Sequence, residues 1–377
     1  MSGALDGVRV IEFANYVSGP YAGMMLGDLG AEVIKVEMPG QGDPFRAWGT
    51  ATFSPTFESL NRNKKSVEID LKSAAGCELA ARLTDTADVL IENFRPGVMQ
   101  RMGLDWPALS ARNKRLVYCT ITGFGDDGPY RDRPGYDTIG QAMSGLLSLL
   151  TELDAPKPMG YSLGDHLGGA AAYQGILAAL FARERSGRGQ HVSTSLLESC
   201  LAFVGENASR FFHDKKVPGR KDRTRIAQVY ACVAGDGKPM VVHLSSPQKF
   251  FEALATAAGH PEWIGDERFA TRARRLADYD AFHEALAAVF VTDTREAWLE
   301  RLRAADVPCS PIYDFAEVFE DAQVRHLAMR HDIADPAKGT ISVVRGGVRF
   351  SDTPAEIRTA SPALGADNEA ILGPLRG

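Results

Sequence analysis

The residue best placed to do chemistry is Asp165, in the run Gly160-Tyr-Ser-Leu-Gly-Asp-His-Leu-Gly-Gly169. That run leads into Leu167–Ala182, an uncharged stretch rich in Gly and Ala. It is shorter than the roughly 20 residues a bilayer span needs, so a buried helix is expected, with Asp165 at its N-cap. Capping alone would account for an aspartate there. Three features point further. Gly164 leaves one side of the carboxylate open. Gly168 and Gly169 each cost a helix about 0.5–1 kcal/mol relative to alanine, which suggests a close approach. A helix N-terminus also favours the ionised carboxylate, and a carboxylate can serve as a covalent nucleophile.

A second glycine run has a different meaning. Gly123-Phe-Gly-Asp-Asp-Gly128 matches the dinucleotide pattern G-x-G-x-x-G, but Pro129 and Pro134 follow with four polar residues between them. No helix can open there to hold a pyrophosphate, so the run reads as a loop and a nicotinamide cofactor is not expected.

The elements that must position Asp165 follow from periodicity. Val8–Phe13, Glu32–Glu37, Val67–Leu71, Asp88–Asn93 and Leu116–Ile121 read as strands. Pro20–Leu29, Ala74–Thr84 and Pro107–Arg112 read as helices between them. This alternation predicts an α/β fold with a largely parallel sheet, whose ligands sit at the carboxyl ends of the strands. Two long helices are expected over Asp165–Arg185 and Ser195–His213. The polar, basic run 215–227, broken by Pro218 and Gly219, reads as a linker. From Gln228 the pattern restarts: strands Val229–Val233 and Met240–Leu244, then helices Pro247–Ala258, Tyr279–Val291 and Thr294–Ala304. The expected organisation is a large domain from 1–214 and 325–377, with a smaller α+β domain over 228–324. The tail from Gly339 reads as short strands and loops.

Composition excludes several classes. The 377 residues carry 42 Lys and Arg against 48 Asp and Glu, a net charge of −6 that gives no reason to expect nucleic acid. Five scattered cysteines form no C-x-x-C, and the histidines show no metal-ligand spacing, so neither a disulfide framework nor a metal is expected. The first 30 residues lack a basic segment followed by an apolar one, so a cytoplasmic protein without a membrane span is expected.

The sequence resembles the family III CoA-transferases over nearly its whole length. That family includes formyl-CoA:oxalate and carnitine CoA-transferases and α-methylacyl-CoA racemase. The likeness rests on Leu5–Phe13, Gly30–Glu37, Asn63–Lys72, Glu92–Gly97, the Gly164-Asp165 turn, Ser186–Val192, Val307–Pro311 and Pro362–Gly365. The resemblance implies a Rossmann-like large domain, an inserted small domain and two chains interlocked as a homodimer. It implies that Asp165 attacks an acyl-CoA thioester, and that CoA then passes to a second carboxylic acid through an aspartyl-CoA thioester, in ping-pong fashion. No tightly bound cofactor is implied; the CoA thioester is a substrate. CoA contacts are expected from Val17, Ser18, Ile69, Asp70, Leu71, Lys72, Asn93, Phe94, Arg95, Arg101, Pro134, Gly135 and Asp137. Tyr136 and Trp48 are expected near the substrate.

The likeness has departures. Members often carry arginine after the second strand, where this chain has Met38; Arg46 is a candidate replacement. The racemase branch pairs the aspartate with a histidine where this chain has Tyr136, a poor base at neutral pH, and His166 adjoins Asp165 on a helix but points elsewhere. Transfer is therefore favoured over racemisation, with a lyase or a non-catalytic acyl-CoA binder as further alternatives. No glycine-run loop lies between Gly219 and Gly237, which argues against oxalate. Phe211, Phe212 and Tyr230 are candidates for the acyl pocket.

Overall fold

The structure, a computed structural model, describes residues 3–49 and 53–376. Residues Leu327–Gly377 join Met1–Leu147 and Lys157–His213 in one compact unit, and Ser148–Pro156 with Asp214–His326 form a second. The run 215–227 contains a short helix, Asp222–Ile226.

The first unit is built on a six-stranded parallel sheet: β1 (Arg9–Phe13), β2 (Glu32–Glu37), β3 (Lys64–Glu68), β4 (Val89–Glu92), β5 (Val117–Thr122) and β6 (His191–Ser195). Their spatial order is β3-β2-β1-β4-β5-β6, and every pairing is parallel. The order reverses between β1 and β4, and the crevice outside the carboxyl ends of those strands is where such sheets take ligands. Val10, Ile11, Val33, Ile34, Val89, Leu90, Ile91 and Val117 are buried, as a sheet covered on both faces requires.

Two strands of this sheet depart from the sequence reading. The third lies at Lys64–Glu68, three residues earlier than expected, because Glu37 and Ser66 share a buried hydrogen bond (2.6 Å) and the C-terminal tail closes the edge. There Asp367 and Asn368 accept the Ser66 and Glu68 N–H groups at 2.9 and 2.7 Å. The sixth strand, His-Val-Ser-Thr-Ser, was invisible to hydrophobic periodicity: it is an edge strand with no apolar run. The expected helix Ser195–His213 is two helices, Leu196–Phe203 and Gly205–Asp214. A hairpin of β10 (Arg330–Asp335) and β11 (Gly339–Val344) belongs to the same unit; β10 escaped notice because Ile333 is its one deeply buried apolar residue.

The second unit has a three-stranded antiparallel sheet, β7 (Val229–Val233), β8 (Pro239–His243) and β9 (Cys309–Pro311). Helices Gln248–Ala257, Tyr279–Phe290 and Arg295–Ala304 cover it over an aromatic core of Tyr230, Phe251, Phe282, Phe290 and Trp298. Tyr230 is fully buried and stacks on Tyr279 at 4.8 Å, so it is a core residue of this unit and lines no acyl pocket.

The helix that carries Asp165 runs over Leu163–Ser186. It packs on the helix Ser18–Asp28 through Gly169. A Cβ at Gly169 would lie 2.5 Å from the Ser18 carbonyl oxygen, so the two helices can meet only with glycine there. Among the described residues no helix is long and apolar enough to cross a membrane. Gly169→Ala should lower stability by ~1–3 kcal/mol through overpacking, read as a fall in Tm. An unchanged Tm would show that the helices can part without cost.

Candidate active site

A cavity of about 240 Å³ opens at the β1/β4 strand ends, where Asn15, Tyr16, Val17, Ser18, Asn93, Phe94, Arg95, Thr122, Gly135, Tyr136 and Asp165 line it. Asn93 joins the two strand-end loops. Its Nδ2 donates to the Asn15 carbonyl (2.8 Å) and to Ser18 Oγ (3.3 Å), while its Oδ1 accepts the Asn15 N–H (3.0 Å). Glu92 turns the chain by accepting the Phe94 N–H at 2.9 Å, and burial pushes its carboxyl up to about 7.

Beneath the β1 loop lies a buried charge cluster. Lys35 Nζ meets Glu12 and Asp43, each at 2.9 Å, and donates to the Ala14 carbonyl at 2.6 Å. Lys64 holds the other Glu12 oxygen at 2.8 Å. Burial opposes the Glu12 charge, yet the two lysines outweigh it and hold the carboxyl below its usual range. The cluster fixes Tyr16, which has φ of +64°, donates its N–H to Asp43 at 3.4 Å and sets its ring edge-on to Phe45. A tyrosine keeps that backbone only where its surroundings over-determine it.

Asp165 sits in the first turn of its helix, not at the cap; Ser162 occupies the N-cap. Gly164 has a role other than opening the carboxylate's approach. A Cβ there would lie 3.0 Å from the Asp137 carbonyl oxygen and 3.1 Å from Asp137 Oδ1. The missing side chain thus lets Asp137 reach the helix start, where its Oδ1 accepts the Asp165 N–H (3.1 Å) and its Oδ2 accepts from Gln141 (2.7 Å). Gly168 likewise makes room for Leu196. The three glycines admit protein neighbours. Burial, reinforced by the Asp137 charge, pushes the Asp165 carboxyl up to about 7.

The glycine-rich loop after β5 opens no helix; the next one starts at Asp137. Gly123 and Gly135 close the loop on itself, since a Cβ on Gly123 would stand 2.8 Å from the Gly135 Cα. This contact holds Gly135 and Tyr136 at the cavity wall.

The other expected residues fall elsewhere. Ile69 is buried in the core. Leu71, Lys72 and Arg101 line a separate cleft of about 490 Å³. Asp70 accepts the Lys72 N–H at 3.0 Å, and Pro134 is exposed beside the cavity loop. Trp48 is exposed, tilts against Phe45 at 4.7 Å and does not line the cavity. Arg46 is no substitute for a basic residue at Met38: its guanidinium is clamped on both Glu37 oxygens at 2.7 Å and on the Pro362 carbonyl. His166 bonds the Ser162 carbonyl through Nδ1 at 2.7 Å and stacks on Tyr161, so it forms no base pair with Asp165. Phe211 and Phe212 lie on the helix Gly205–Asp214, with Phe212 exposed. Tyr16, Arg131, Arg133 and Leu196 line the cavity without having been singled out in the sequence. Tyr16 could be found only from its backbone angle, and the arginines were hidden in a loop that mimics another motif. Among the described residues no cluster of three metal-ligating side chains occurs.

These features agree with the comparisons. The model of CoA-transferase family III matches residues 5–368, and the chain belongs to that family. It is an enzyme of the CoA-transferase class. The succinyl-CoA–D-citramalate CoA-transferase of Chloroflexus aurantiacus is 36% identical over 99% of this chain and 94% of that protein. The succinate–glutarate CoA-transferase of Agrobacterium fabrum is 35% identical over 98% of this chain and 95% of that protein. A crystal structure of a CAIB/BAIF family protein from Brucella suis superposes with a TM-score of 0.90 at 35% identity, covering all of both chains.

Were Asp165 the nucleophile, it would have to be ionised, and the acylation rate would rise with pH through about 7 and level off above it. Asp137→Asn removes the neighbouring charge and should move that acid limb down toward the ordinary carboxylate range. An unmoved limb in single-turnover pH profiles would remove Asp137 from the tuning of Asp165.

Proposed function

We propose that the protein transfers CoA from an acyl-CoA thioester to a carboxylic acid through covalent intermediates on Asp165. The observation that carries this reading is the position of Asp165: one carboxyl, pushed up to about 7, facing the strand-end cavity with Val17, Ser18, Asn93 and Phe94 around it. A carboxyl that titrates near neutrality is a better nucleophile than an ordinary one while remaining ionised at working pH.

In this reading the transfer runs in four exchanges at carbonyl carbon. An Asp165 oxygen attacks the thioester carbonyl, the C–S bond breaks, and CoA leaves as thiolate with a mixed anhydride on the enzyme. The thiolate then attacks the aspartyl carbonyl carbon. The first acid departs as carboxylate, leaving an aspartyl-CoA thioester. The incoming carboxylate attacks that thioester, forms a second anhydride and frees the thiolate once more. Attack of the thiolate on the new acyl carbon yields the new acyl-CoA and restores Asp165. Each step exchanges one bond to carbonyl carbon for another, so no redox partner is needed. Asp137 serves by fixing the backbone N–H of Asp165 and thereby the orientation of the first helical turn. Tyr136, exposed at the cavity wall, would contact the substrate.

CoA would reach from this cavity toward the cleft of Leu71, Lys72 and Arg101. Succinyl-CoA is the donor we favour, because the names of the relatives above pair succinate with another dicarboxylic acid. The chain would act in the cytoplasm as an interlocked homodimer with no resident cofactor. Phe181, Phe203 and Phe212, each at least 60% exposed, support a partner on the first unit. A dimer should elute near twice the chain mass of 40.8 kDa by light scattering; a monomer would remove the interlocked arrangement.

Asp165→Asn should reduce kcat by roughly 10⁴-fold while CoA affinity stays near that of the parent. The same variant should be more stable than the parent at pH of about 8, with the gap closing toward pH of about 4. A carboxyl whose folded pKa is raised costs stability as pH climbs above its unfolded value, and the amide has no such cost. Undiminished turnover in the variant would end the covalent-aspartate reading.

A further inference from the structure

Gln141 takes no part in the transfer steps, yet its amide touches both sides of the turn that carries Asp165. It lies on the helix Asp137–Met143 and is 1% exposed. Nε2 donates to Asp137 Oδ2 at 2.7 Å and to the Tyr161 carbonyl at 3.4 Å. Asp137 passes the first contact on, since its Oδ1 accepts the Asp165 N–H at 3.1 Å. Tyr161 directly precedes Ser162, the N-cap of the helix Leu163–Ser186. One amide thus holds the carboxylate that fixes residue 165 and the backbone that leads into the same turn.

Both neighbours of the amide are acceptors, so its NH2 end must face them. Oε1 is then turned to a buried place where, among the described residues, no donor meets it. An unpaired buried carbonyl oxygen costs free energy, and an apolar side chain of the same size would avoid that cost. What the amide supplies against it is a pair of donors, one for Asp137 and one for Tyr161. Both donors on Asp137 are neutral, an amide and a backbone N–H, so its charge stays beside Asp165 without a cation from either. The other titratable groups around the two carboxyls are Cys200, Tyr161, Tyr136 and His166. Cys200, on the helix Leu196–Phe203, packs on Gly164, and burial pushes its thiol up to about 11. Burial also raises the Tyr161 phenol. Tyr136 occupies the N-cap of the helix Asp137–Met143, and His166 is turned to the Ser162 carbonyl.

We infer that Gln141 is a positioning residue for Asp165, acting through the two donors that its amide presents to Asp137 and to the Tyr161 carbonyl. The inference rests on the proposed covalent role of Asp165, and the test separates the two.

Gln141→Leu in the full-length protein keeps most of the bulk and removes both donors. The rate of hydroxamate formation on Asp165, with succinyl-CoA and hydroxylamine, should fall roughly 10- to 100-fold, while CoA affinity by calorimetry stays within about twofold. Gln141→Glu puts a carboxylic acid in the same place. With one proton shared between it and Asp137, the pair carries the parent's single negative charge and the contact is kept. When that proton leaves, the donor goes with it and two carboxylates repel. Relative to the parent, the trapping rate in Gln141→Glu should be nearly equal at pH of about 6 and fall away toward pH of about 9, an alkaline limb that packing alone would not create. Hydrogen exchange at the Asp165 N–H, read without turnover, should quicken roughly tenfold in Gln141→Leu. An unchanged trapping rate in Gln141→Leu would overturn the inference where the parent traps. Equal losses in both variants at every pH would reduce Gln141 to packing and overturn it as well. Faster exchange in the variant of a parent that forms no hydroxamate on Asp165 would keep the positioning role and lose the covalent reading. Unchanged exchange would remove the positioning role in either case.

Discussion

The contact on which the site depends is the one between the Asp137 carboxylate and the start of the helix Leu163–Ser186. One oxygen takes the Asp165 N–H and the other takes Gln141. The contact is possible because residue 164 has no side chain, and its consequence is electrostatic as well as geometric. The same carboxylate that orients the first turn places a like charge beside Asp165, in surroundings that already disfavour ionisation. Positioning and the smaller, electrostatic part of the pKa adjustment therefore come from one residue, burial supplying the larger part, so the two effects of Asp137 separate only in a substitution that keeps the acceptor and removes the charge.

Around that contact the strand ends are held by polar groups that a hydrophobic core could not supply. Asn93 ties the β4 loop to the β1 loop with paired amide bonds, and the Lys35–Glu12–Asp43 cluster supports the β1 loop from below. A buried ion cluster is weak evidence for stability, since desolvation offsets much of its attraction. Its value here is positional. Lys35 binds the Ala14 carbonyl and Asp43 the Tyr16 N–H, and these bonds hold a tyrosine at positive φ against the cavity. Rigid placement of cavity walls is what the proposed sequence of anhydride and thioester exchanges would require, because each step would present a different leaving group to the same carboxyl.

Much of this architecture was legible in the sequence, and the gaps have physical causes. The apolar runs of β1, β2, β4 and β5 announced a parallel sheet because both of its faces are covered. β6 and β10 did not, since edge strands with one covered face carry no such run. Asp165 was conspicuous through its glycines, yet those glycines answer to Asp137, Leu196 and Ser18, neighbours that lie 27 to 151 residues away in the chain and are joined only by folding. Asn93 and Ser18 are brought together with Asp165, whereas Trp48 and Arg46 are not: one tilts on Phe45 and the other is consumed by Glu37. Arg131 sat inside a loop that imitates a nucleotide motif, and its direction depends on backbone contacts no motif encodes.

The most direct test of the covalent account is to mix the protein with succinyl-CoA and hydroxylamine and map the peptides by mass spectrometry. Hydroxylamine captures an activated carboxyl as a hydroxamate. The account predicts that modification on Asp165, dependent on the donor and absent with free succinate. A donor shown to be bound, with Asp165 unmodified or with the hydroxamate on another carboxyl, would contradict it.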